Sequence, residues 1–465
     1  KSGTSSSGNG NWAWGVGFNQ ATSINSGTGT IYINGIGQSN NGGDYTPGVV
    51  IGLSGYNQTF TSANTTSNAI QIIGNASTAA NSNWNVGVYF NTSGNDVIAA
   101  TGAGGGVTIQ GTRNTSGSLK DVYFYTGNYY ILANSGPINL LGTTAGGQLQ
   151  IASGLGNGLW VGASSASAVT SALGSTLAAQ VSSSTSNVTV QFDQWNWATN
   201  GNGNTAGTAF NFTNSGTLSI LPVSAASAQG TATNWWNLVG GSNSLTGLTM
   251  GAASVGGVTM PAATNINVNS PISINGPITL VNGNITTNST INAAGAVTLN
   301  GANAYVTTSG AITTTSGGVS LIGANGYVTV TGAITAPGNV SITASSGNVT
   351  LNSPITVSGS GNSLLVKASG SILTAAGTSG IPLLFQTNNG PITFWANSAN
   401  GTAGNIEFGA YNTLNSANGS TANNLATGGA ITLAGGADNG SGLPGGYAIG
   451  VSAQPTGGTT WYMMG

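Results

Sequence analysis

Short aliphatic segments that alternate with polar residues recur at a nearly constant interval between residues 296 and 360. The units begin at Val297, Val319 and Val340, so the period is 22 and then 21 residues. In every unit an aliphatic residue follows at an offset of 9 and another at an offset of 15. The residues at these two offsets are Val306, Val328 and Val349, then Ile312, Ile334 and Ile355. Each unit therefore contains three short segments of strand type.

Within a segment such as Val297-Thr298-Leu299, the aliphatic side chains fall on one face of a strand and threonine falls on the other. Glycine, serine and asparagine stand between the segments, where they favour sharp turns. Three strands in 21–22 residues, repeated in register, predict an all-β parallel β-helix (β-solenoid). Its coils would stack at about 4.8 Å around a continuous aliphatic core. The general rule for crossover connections favours right-handed winding.

A second recurrent motif places a proline or an alanine before an Ile-polar-aliphatic segment. Its instances begin at Pro137, Pro271, Pro277, Pro354, Pro391 and Ala430. Proline at the first residue of a strand removes no hydrogen bond on which the sheet depends. The motif therefore predicts a corner at which the chain enters a strand.

The segments at 347–351 (Gly-Asn-Val-Thr-Leu) and 429–433 (Gly-Ala-Ile-Thr-Leu) resemble the repeats in the shaft of filamentous-haemagglutinin-like exoproteins, the secreted adhesins of bacterial two-partner secretion. The resemblance covers residues 265–435 best. It implies a bacterial protein that is extracellular or at the cell surface and has no catalytic activity. The sequence lacks the Asn-Pro-Asn-Gly motif of that family's secretion domain, which indicates a shaft fragment or a different solenoid polymer.

The first half of the chain is less regular and contains eight of the ten tryptophans. Segments 11–19 and 83–91 are identical at six of nine positions. A tryptophan series with spacings of 72, 76 and 75 residues runs through Trp12, Trp84, Trp160 and Trp235. We therefore predict three degenerate blocks of about 75 residues, each of three wider coils, within residues 1–260. Residues 261–465 are assigned to regular coils and a C-terminal segment. The alternative for the first half is a separate β-sandwich.

Composition restricts the chemistry that the chain can perform. Its 465 residues include six acidic and four basic side chains but no histidine and no cysteine, which excludes Ser-His-Asp and Cys-His catalysis and the usual zinc sites. No calcium-loop pattern occurs, so we expect no catalytic residue, no metal and no cofactor. Four cations form no basic patch for nucleic acid. The sequence contains no run of about 18 or more apolar residues, so it predicts no membrane-spanning helix.

Four of the ten charged residues are close together in sequence. They are Asp96, Arg113, Lys120 and Asp121. Because glycoside hydrolysis normally requires two carboxylates about 5–10 Å apart, Asp96 and Asp121 on neighbouring coils are a candidate acid–base pair. A surface ion-pair cluster, which contributes little free energy, is the simpler interpretation. With so few charges elsewhere, stability is expected to be largely indifferent to pH and salt.

Clustered aromatic residues are the main candidates for a binding surface. They are Trp12 with Trp14, Trp195 with Trp197, Trp235 with Trp236, and Trp461 with Tyr462. The first two pairs have the i, i+2 spacing that places both rings on one face of a strand. Exposed rings would stack on sugars or on a neighbouring subunit. The alternative is that they fill a wide core or cover an end of the stack.

Asparagine is abundant, and many Asn-x-Ser/Thr sequons occur, for example at Asn64 and Asn288. In such a composition sequons arise by chance and are weak evidence of glycosylation. Asparagines stacked in successive coils, with amides that hydrogen-bond along the stack, are the structural alternative.

The combined pattern predicts a non-enzymatic, extracellular structural protein that forms a rod, filament or adhesive surface fibre. Aromatic and apolar residues near both ends of the chain favour head-to-tail self-association. The expected partners are further copies of the chain or host and surface glycans. The competing hypothesis is a carbohydrate-binding or carbohydrate-cleaving β-helix module.

Overall fold

A computed structural model describes the chain in segments. The described residues are 14–37, 45–76, 85–114, 120–162, 173–181, 186–197, 210–212, 216–225, 245–255, 258–259, 265–399, 404–417, 428–438, 444–446 and 462–464. Internal contacts divide the chain into two units, Lys1–Thr249 and Met250–Gly465. Nearly all of the strand pairings that the structure describes in either unit are parallel.

The first unit contains sixteen described strands, a short 3-10 turn at Leu53–Gly55 and one short helix, and a further strand ends just beyond it. The strands are β1 (Val16–Phe18), β2 (Thr22–Asn25), β3 (Ile31–Ile36), β4 (Val49–Ile51), β5 (Gln58–Ser62), β6 (Ile70–Asn75), β7 (Val88–Phe90), β8 (Asn95–Ala100), β9 (Val107–Thr112), β10 (Lys120–Ala133), β11 (Ile138–Gly142), β12 (Gln148–Gly162), β13 (Val188–Gln191), β14 (Gln194–Trp197), β15 (Phe210–Phe212), β16 (Thr217–Leu221) and β17 (Gly247–Gly251).

Three consecutive strands make one coil of the first unit. One sheet receives β3, β6, β9, β11, β13, β16 and β17 in that order, and the remaining strands named above pair in parallel in a second sheet. In two coils the first two strands are continuous: β10 pairs with β7 through Val122–Phe124 and with β8 through Asn128–Ala133. The strand order, which advances by one coil at each step, is that of a parallel β-helix and excludes the alternative β-sandwich.

The coils of the first unit are wide and unequal. Val16 pairs with Val49, and Val49 pairs with Val88, so the 72-residue interval between the two similar segments contains two coils, where three were expected. Trp160 lies in β12, opposite Tyr130 of β10. This segment of β12 does not belong to the row of paired strands that contains Val16, Val49 and Val88. Trp160 therefore does not occupy the position that the tryptophan spacing predicts, and Trp12, Trp84 and Trp235 lie outside the described residues.

One helix, α1 (Ser175–Gln180), packs on the outside of the coils. Its sequence, Ser-Thr-Leu-Ala-Ala-Gln, contains good helix formers and follows Gly174. Leu173, Leu177 and Val181 pack against a cluster on β8 and β10 that also contacts Trp160, so this tryptophan is part of a covered apolar surface. Neither this helix nor any other in the described ranges is long and apolar enough to cross a membrane.

The second unit contains shorter strands in a more regular succession. The strands are β18 (Ser254–Val255), β19 (Val258–Thr259), β20 (Asn265–Val268), β21 (Ile272–Ile274), β22 (Ile278–Asn282), β23 (Asn284–Thr287), β24 (Ile291–Ala293), β25 (Val297–Gly301), β26 (Val306–Thr308), β27 (Ile312–Thr314), β28 (Val319–Gly323), β29 (Val328–Val330), β30 (Ile334–Ala336), β31 (Val340–Ala344), β32 (Val349–Leu351), β33 (Ile355–Ser360), β34 (Leu364–Ala368), β35 (Ile372–Thr374), β36 (Leu383–Asn388), β37 (Ile392–Ala396), β38 (Ile406–Glu407), β39 (Asn412–Asn415), β40 (Ile431–Asp438), β41 (Pro444–Gly446) and β42 (Tyr462–Met464).

Every regular coil of the second unit contributes one strand to each of three parallel sheets. The successive strands β25, β28 and β31 pair in one sheet, β26, β29 and β32 in the second, and β27, β30 and β33 in the third. The predicted anchors are partners in register: Val297 pairs with Val319, Val306 with Val328, and Ile312 with Ile334. The predicted parallel β-helix and its 21–22-residue period are therefore confirmed.

The aliphatic anchors form the core of the second unit. In β25, β28 and β31 buried and partly exposed positions alternate along the strand, as the threonine alternation predicts. The corner motif is also confirmed, because a strand begins directly after each of its six proline or alanine residues. A proline at this corner can still accept a hydrogen bond through its carbonyl oxygen. The Ile334 N–H donates to the Pro354 carbonyl at 3.1 Å.

Stacked asparagines connect several coils through their side chains. The Asn284 amide donates to Asn265 Oδ1 at 2.7 Å, and the Asn288 amide donates to Asn269 Oδ1 at 2.8 Å. In the first unit Asn128 donates to Asn95 at 2.8 Å. The expected asparagine ladders are present, with Asn288 of one sequon among them.

Candidate functional site

Three of the six acidic side chains are buried in the first unit, and each accepts hydrogen bonds from backbone N–H groups. They are Asp96, Asp121 and Asp193. A carboxylate removed from water is costly unless it is hydrogen-bonded or protonated, so these contacts decide what the three side chains can do.

Asp96 lies on β8 opposite Tyr129 of β10 and is 1% exposed. Its Oδ1 accepts a hydrogen bond of 2.9 Å from the backbone N–H of Gln58, one coil earlier. The other oxygen packs against Gly52, where a Cβ would lie 2.7 Å from Oδ2. Burial raises the pKa of Asp96 from 3.8 to about 7, and the Gln58 hydrogen bond offsets only part of this effect.

Asp121 lies near the start of β10 and is fully buried. Its Oδ1 accepts a 2.8 Å hydrogen bond from the Arg113 backbone N–H, while the Arg113 guanidinium donates to the Ala145 carbonyl at 2.9 Å. Burial raises the pKa of Asp121 to about 6, although the Arg113 N–H and its charge act in the opposite direction. Asp121 therefore connects the start of β10 to the backbone at Arg113, just after β9.

The four residues of the predicted charged cluster do not form one group. Arg113 and Asp121 are in contact, whereas Asp96 lies among Gln58, Gly52 and Tyr129. The Lys120 Nζ atom lies 4.2 Å from the centroid of the Tyr123 ring, and burial lowers the pKa of this lysine. Both carboxylates are interior, so neither belongs to a surface ion-pair cluster.

Asp193, which was not a candidate in the sequence analysis, joins three coils. Its Oδ1 accepts hydrogen bonds of 2.8 Å from the N–H groups of Val223 and Ser224, and its Oδ2 accepts one of 2.8 Å from Gly146. Asp121 could have been noticed from the sequence. It stands directly before Val122, and the aligned residue of the preceding coil, directly before Val88, is Gly87. The side chains of both Asp121 and Asp193 accept hydrogen bonds from backbone N–H groups.

These carboxylates are suited to holding coils and loops together. Among the residues that the structure describes, no group of three or more acidic, histidine or cysteine side chains is placed to hold a metal ion. Asp96 accepts from the Gln58 N–H and Asp121 accepts from the Arg113 N–H, so the two carboxyl groups are held by different segments of the chain.

An aromatic cluster covers the outer face of the first-unit sheet. The outward positions in register are Gly17, Val50, Tyr89 and Tyr123. Trp14 lies over Gly17, where a Cβ would come within 2.4 Å of the indole Nε1, and packs against the remaining members. The absent side chain at position 17 thus makes room for the indole.

The tyrosines of this cluster pack closely. The ring centroids of Tyr89 and Tyr123 are 5.4 Å apart, and those of Tyr123 and Tyr125 are 5.6 Å apart. Burial, followed by the neighbouring tyrosines, raises the pKa of Tyr89 and Tyr123 well above 10, so both remain neutral. Tyr89 and Tyr123 are 3% and 4% exposed, which makes the cluster a packed surface of the fold, with Tyr125 at its exposed margin.

The other predicted aromatic candidates are only partly located. Trp195 and Trp197 lie on β14 in register with Leu149 and Ile151 of β12, and Tyr462 lies on β42 opposite Thr413. The remaining candidates fall outside the described residues. They are Trp12, Trp235, Trp236 and Trp461.

A second aromatic feature, which the sequence analysis did not select as a site, lies in the second unit. Tyr305 and Tyr327 stand directly before β26 and β29, and their rings stack with centroids 4.9 Å apart and planes 3° apart. Tyr327 is 45% exposed. It borders a shallow groove of about 370 Å³ whose lining residues are Gly326, Tyr327, Ser346, Gly347, Asn348 and Thr350.

The chain was compared with known proteins at three levels. No protein family, no curated protein and no solved structure matches it.

Proposed function

We propose that this chain is a non-enzymatic structural protein of the cell exterior, in which stacked coils form the shaft of a surface fibre or layer. The observation that carries the proposal is the use of the buried acids. Asp96, Asp121 and Asp193 all bind backbone N–H groups, so the carboxylates that an acid–base enzyme would need are engaged in holding the coils together.

The outward rows of the second unit support the same role. Thr307 pairs with Thr329, and Thr329 pairs with Thr350, so a neutral polar row runs across three coils. Equivalent charges at a spacing of about 4.8 Å would repel one another. A long stack therefore benefits from the near absence of charge. The resemblance of residues 265–435 to adhesin shafts agrees with an extracellular or cell-surface location, bacterial origin and assembly by head-to-tail self-association.

Catalysis and assembly are tested separately. In a screen of polysaccharide substrates, the purified chain should release no reducing ends. Hydrolysis that is lost in Asp96→Asn or Asp121→Asn, while the melting temperature is retained, would contradict the non-enzymatic role.

Assembly is tested by sedimentation velocity and electron microscopy from dilute to concentrated solution. The expected result is fibres whose fraction rises with protein concentration. A chain that stays monomeric at every concentration would remove self-association from the proposal.

A further inference from the structure

The register of the second unit creates an aromatic shelf. Val306 pairs with Val328, so the residues immediately before them, Tyr305 and Tyr327, lie one above the other in consecutive coils. Their stack, in which the two ring planes are nearly parallel, holds the Tyr327 ring in a fixed orientation. A ring that is already ordered by its neighbour loses little further conformational freedom when a ligand packs on it.

The stack ends at the next coil, and its end opens the groove. Val328 pairs with Val349, so Asn348 occupies the position that Tyr327 and Tyr305 hold in the preceding coils. Gly326 and Gly347, beside these positions, present backbone without side chains to the groove. The shorter residue at 348 therefore leaves space next to the exposed Tyr327 ring.

The polar groups of the groove are neutral and lie beside the ring. Asn348 Oδ1 accepts a 2.8 Å hydrogen bond from the Ser371 N–H in the following coil. This bond restricts the orientation of the amide and uses its oxygen, so the Nδ2 group is the part of the amide that can donate to a ligand. Ser346 and Thr350 add hydroxyl groups that both donate and accept. No lining residue is charged, so the groove supplies no cation to neutralise a phosphate, sulfate or carboxylate group.

We propose that this groove binds a neutral glycan, with one face of a pyranose ring packed on Tyr327 and its hydroxyl groups directed at Asn348, Ser346 and Thr350. A pyranose combines a flat C–H face with hydroxyl groups at its edge. These are complementary to an aromatic face next to neutral hydrogen-bonding groups. The inference does not depend on the proposed structural role.

The test is an array of neutral oligosaccharides built from hexoses and N-acetylhexosamines, with sulfated and carboxylated polysaccharides on the same array. The purified chain should bind at least one neutral glycan. Tyr327→Ala should weaken this binding about tenfold or more, as expected when a stacking aromatic ring is removed. Tyr327→Phe, which keeps the ring face, should retain most of it. Tyr32→Ala is the matched control, since Tyr32 is 58% exposed on β3 of the first unit and should leave binding unchanged.

Several results would overturn the proposal. They are the binding of no neutral glycan, binding restricted to the acidic polysaccharides, and equal affinity of Tyr327→Ala and the unchanged chain. A loss of affinity in Tyr327→Ala counts in favour only if its thermal unfolding matches that of Tyr327→Phe. Asn348→Ala provides a second variant: it removes the amide while leaving the ring stack intact, and it should also weaken binding. Unchanged affinity in Asn348→Ala would overturn the assigned mode of recognition.

Discussion

The Oδ1 atom of Asp96 accepts a hydrogen bond of 2.9 Å from the backbone N–H of Gln58, 38 residues earlier in the chain. The carboxyl group is 1% exposed, and burial raises its pKa from 3.8 to about 7. A group whose folded-state pKa is higher than its unfolded-state pKa binds more protons when folded, so stability falls as the pH rises between the two values.

We therefore predict that the free energy of unfolding decreases from about pH 4 to pH 7 and that Asp96 causes no further decrease above that range. Asp121, with a pKa of about 6, contributes over the lower part of the same range. The expected loss is on the order of a few kcal/mol, since one pKa unit corresponds to about 1.4 kcal/mol. Urea unfolding at a series of pH values measures it. This prediction differs from the expectation from composition that stability is indifferent to pH, and the urea series decides between the two.

Asp96→Asn is the variant that isolates this effect. The amide keeps an oxygen for the Gln58 N–H but cannot ionise, so the slope of stability against pH should become shallower and stability near pH 8 should be maintained or raised. Asp193→Asn is a useful comparison, because Asp193 accepts from three backbone N–H groups through its two oxygens. The amide replaces one accepting oxygen with an N–H donor, so at least one of these bonds should be lost and stability should fall. An unchanged pH profile in Asp96→Asn would contradict the assignment.

The aliphatic ladder gives a prediction for the core. Ile334 is buried between Ile312 and Ile355 in the adjacent coils. Ile334→Ala should lower the free energy of unfolding by about 2–5 kcal/mol, because it removes buried methyl groups and leaves a cavity. Thr335→Ala, one residue away on the outward face, should change it by less than about 0.5 kcal/mol. Equal effects in urea unfolding would mean that the assigned faces of β30 are wrong.

How far the fold follows from sequence differs between the two units. In the second, the coils are short and nearly equal, so the aligned positions Val297, Val319 and Val340 are true partners in the sheet. In the first, loops of unequal length separate the strands. Sequence spacing then no longer measures position in space, and Trp160 falls on a different strand segment from the one expected.

The candidate sites were less predictable for a related physical reason. The composition gives the number of charged residues but not which of them are buried. The hydrogen bonds by which Asp96 and Asp193 connect coils are therefore seen only in the structure. The stacked tyrosines could have been found. Tyr305 and Tyr327 occupy the same offset of consecutive repeats, and Asn348 occupies it in the next, so the repeat alignment already indicates an aromatic stack that ends at an open position.

Close contact between coils gives a prediction for glycine. A Cβ at Gly332 would lie 2.1 Å from the carbonyl oxygen of Gly310 in the preceding coil. Gly332→Ala should therefore force the corners apart and cost about 1–3 kcal/mol. Gly380→Ala is the control, because a Cβ there meets nothing within 4 Å, and it should be close to neutral. Thermal or urea unfolding of the two variants measures the difference. Similar unfolding midpoints would show that the corner at Gly332 accommodates the added methyl group without loss of stability.

The neutral outer rows can be tested by adding charge. Thr307 and Thr329 face outward in register on β26 and β29. Aspartate at both positions should destabilise the chain more than the sum of the two single substitutions, by about 0.2–1 kcal/mol, because like charges face each other directly. Lysine at 307 with aspartate at 329 should show coupling of the opposite sign. Both couplings should shrink when the urea series is repeated at high salt, since exposed charges are screened. A coupling that does not change sign with the charge pattern would remove charge repulsion as the reason for the neutral rows and, with it, one of the supports for a structural shaft.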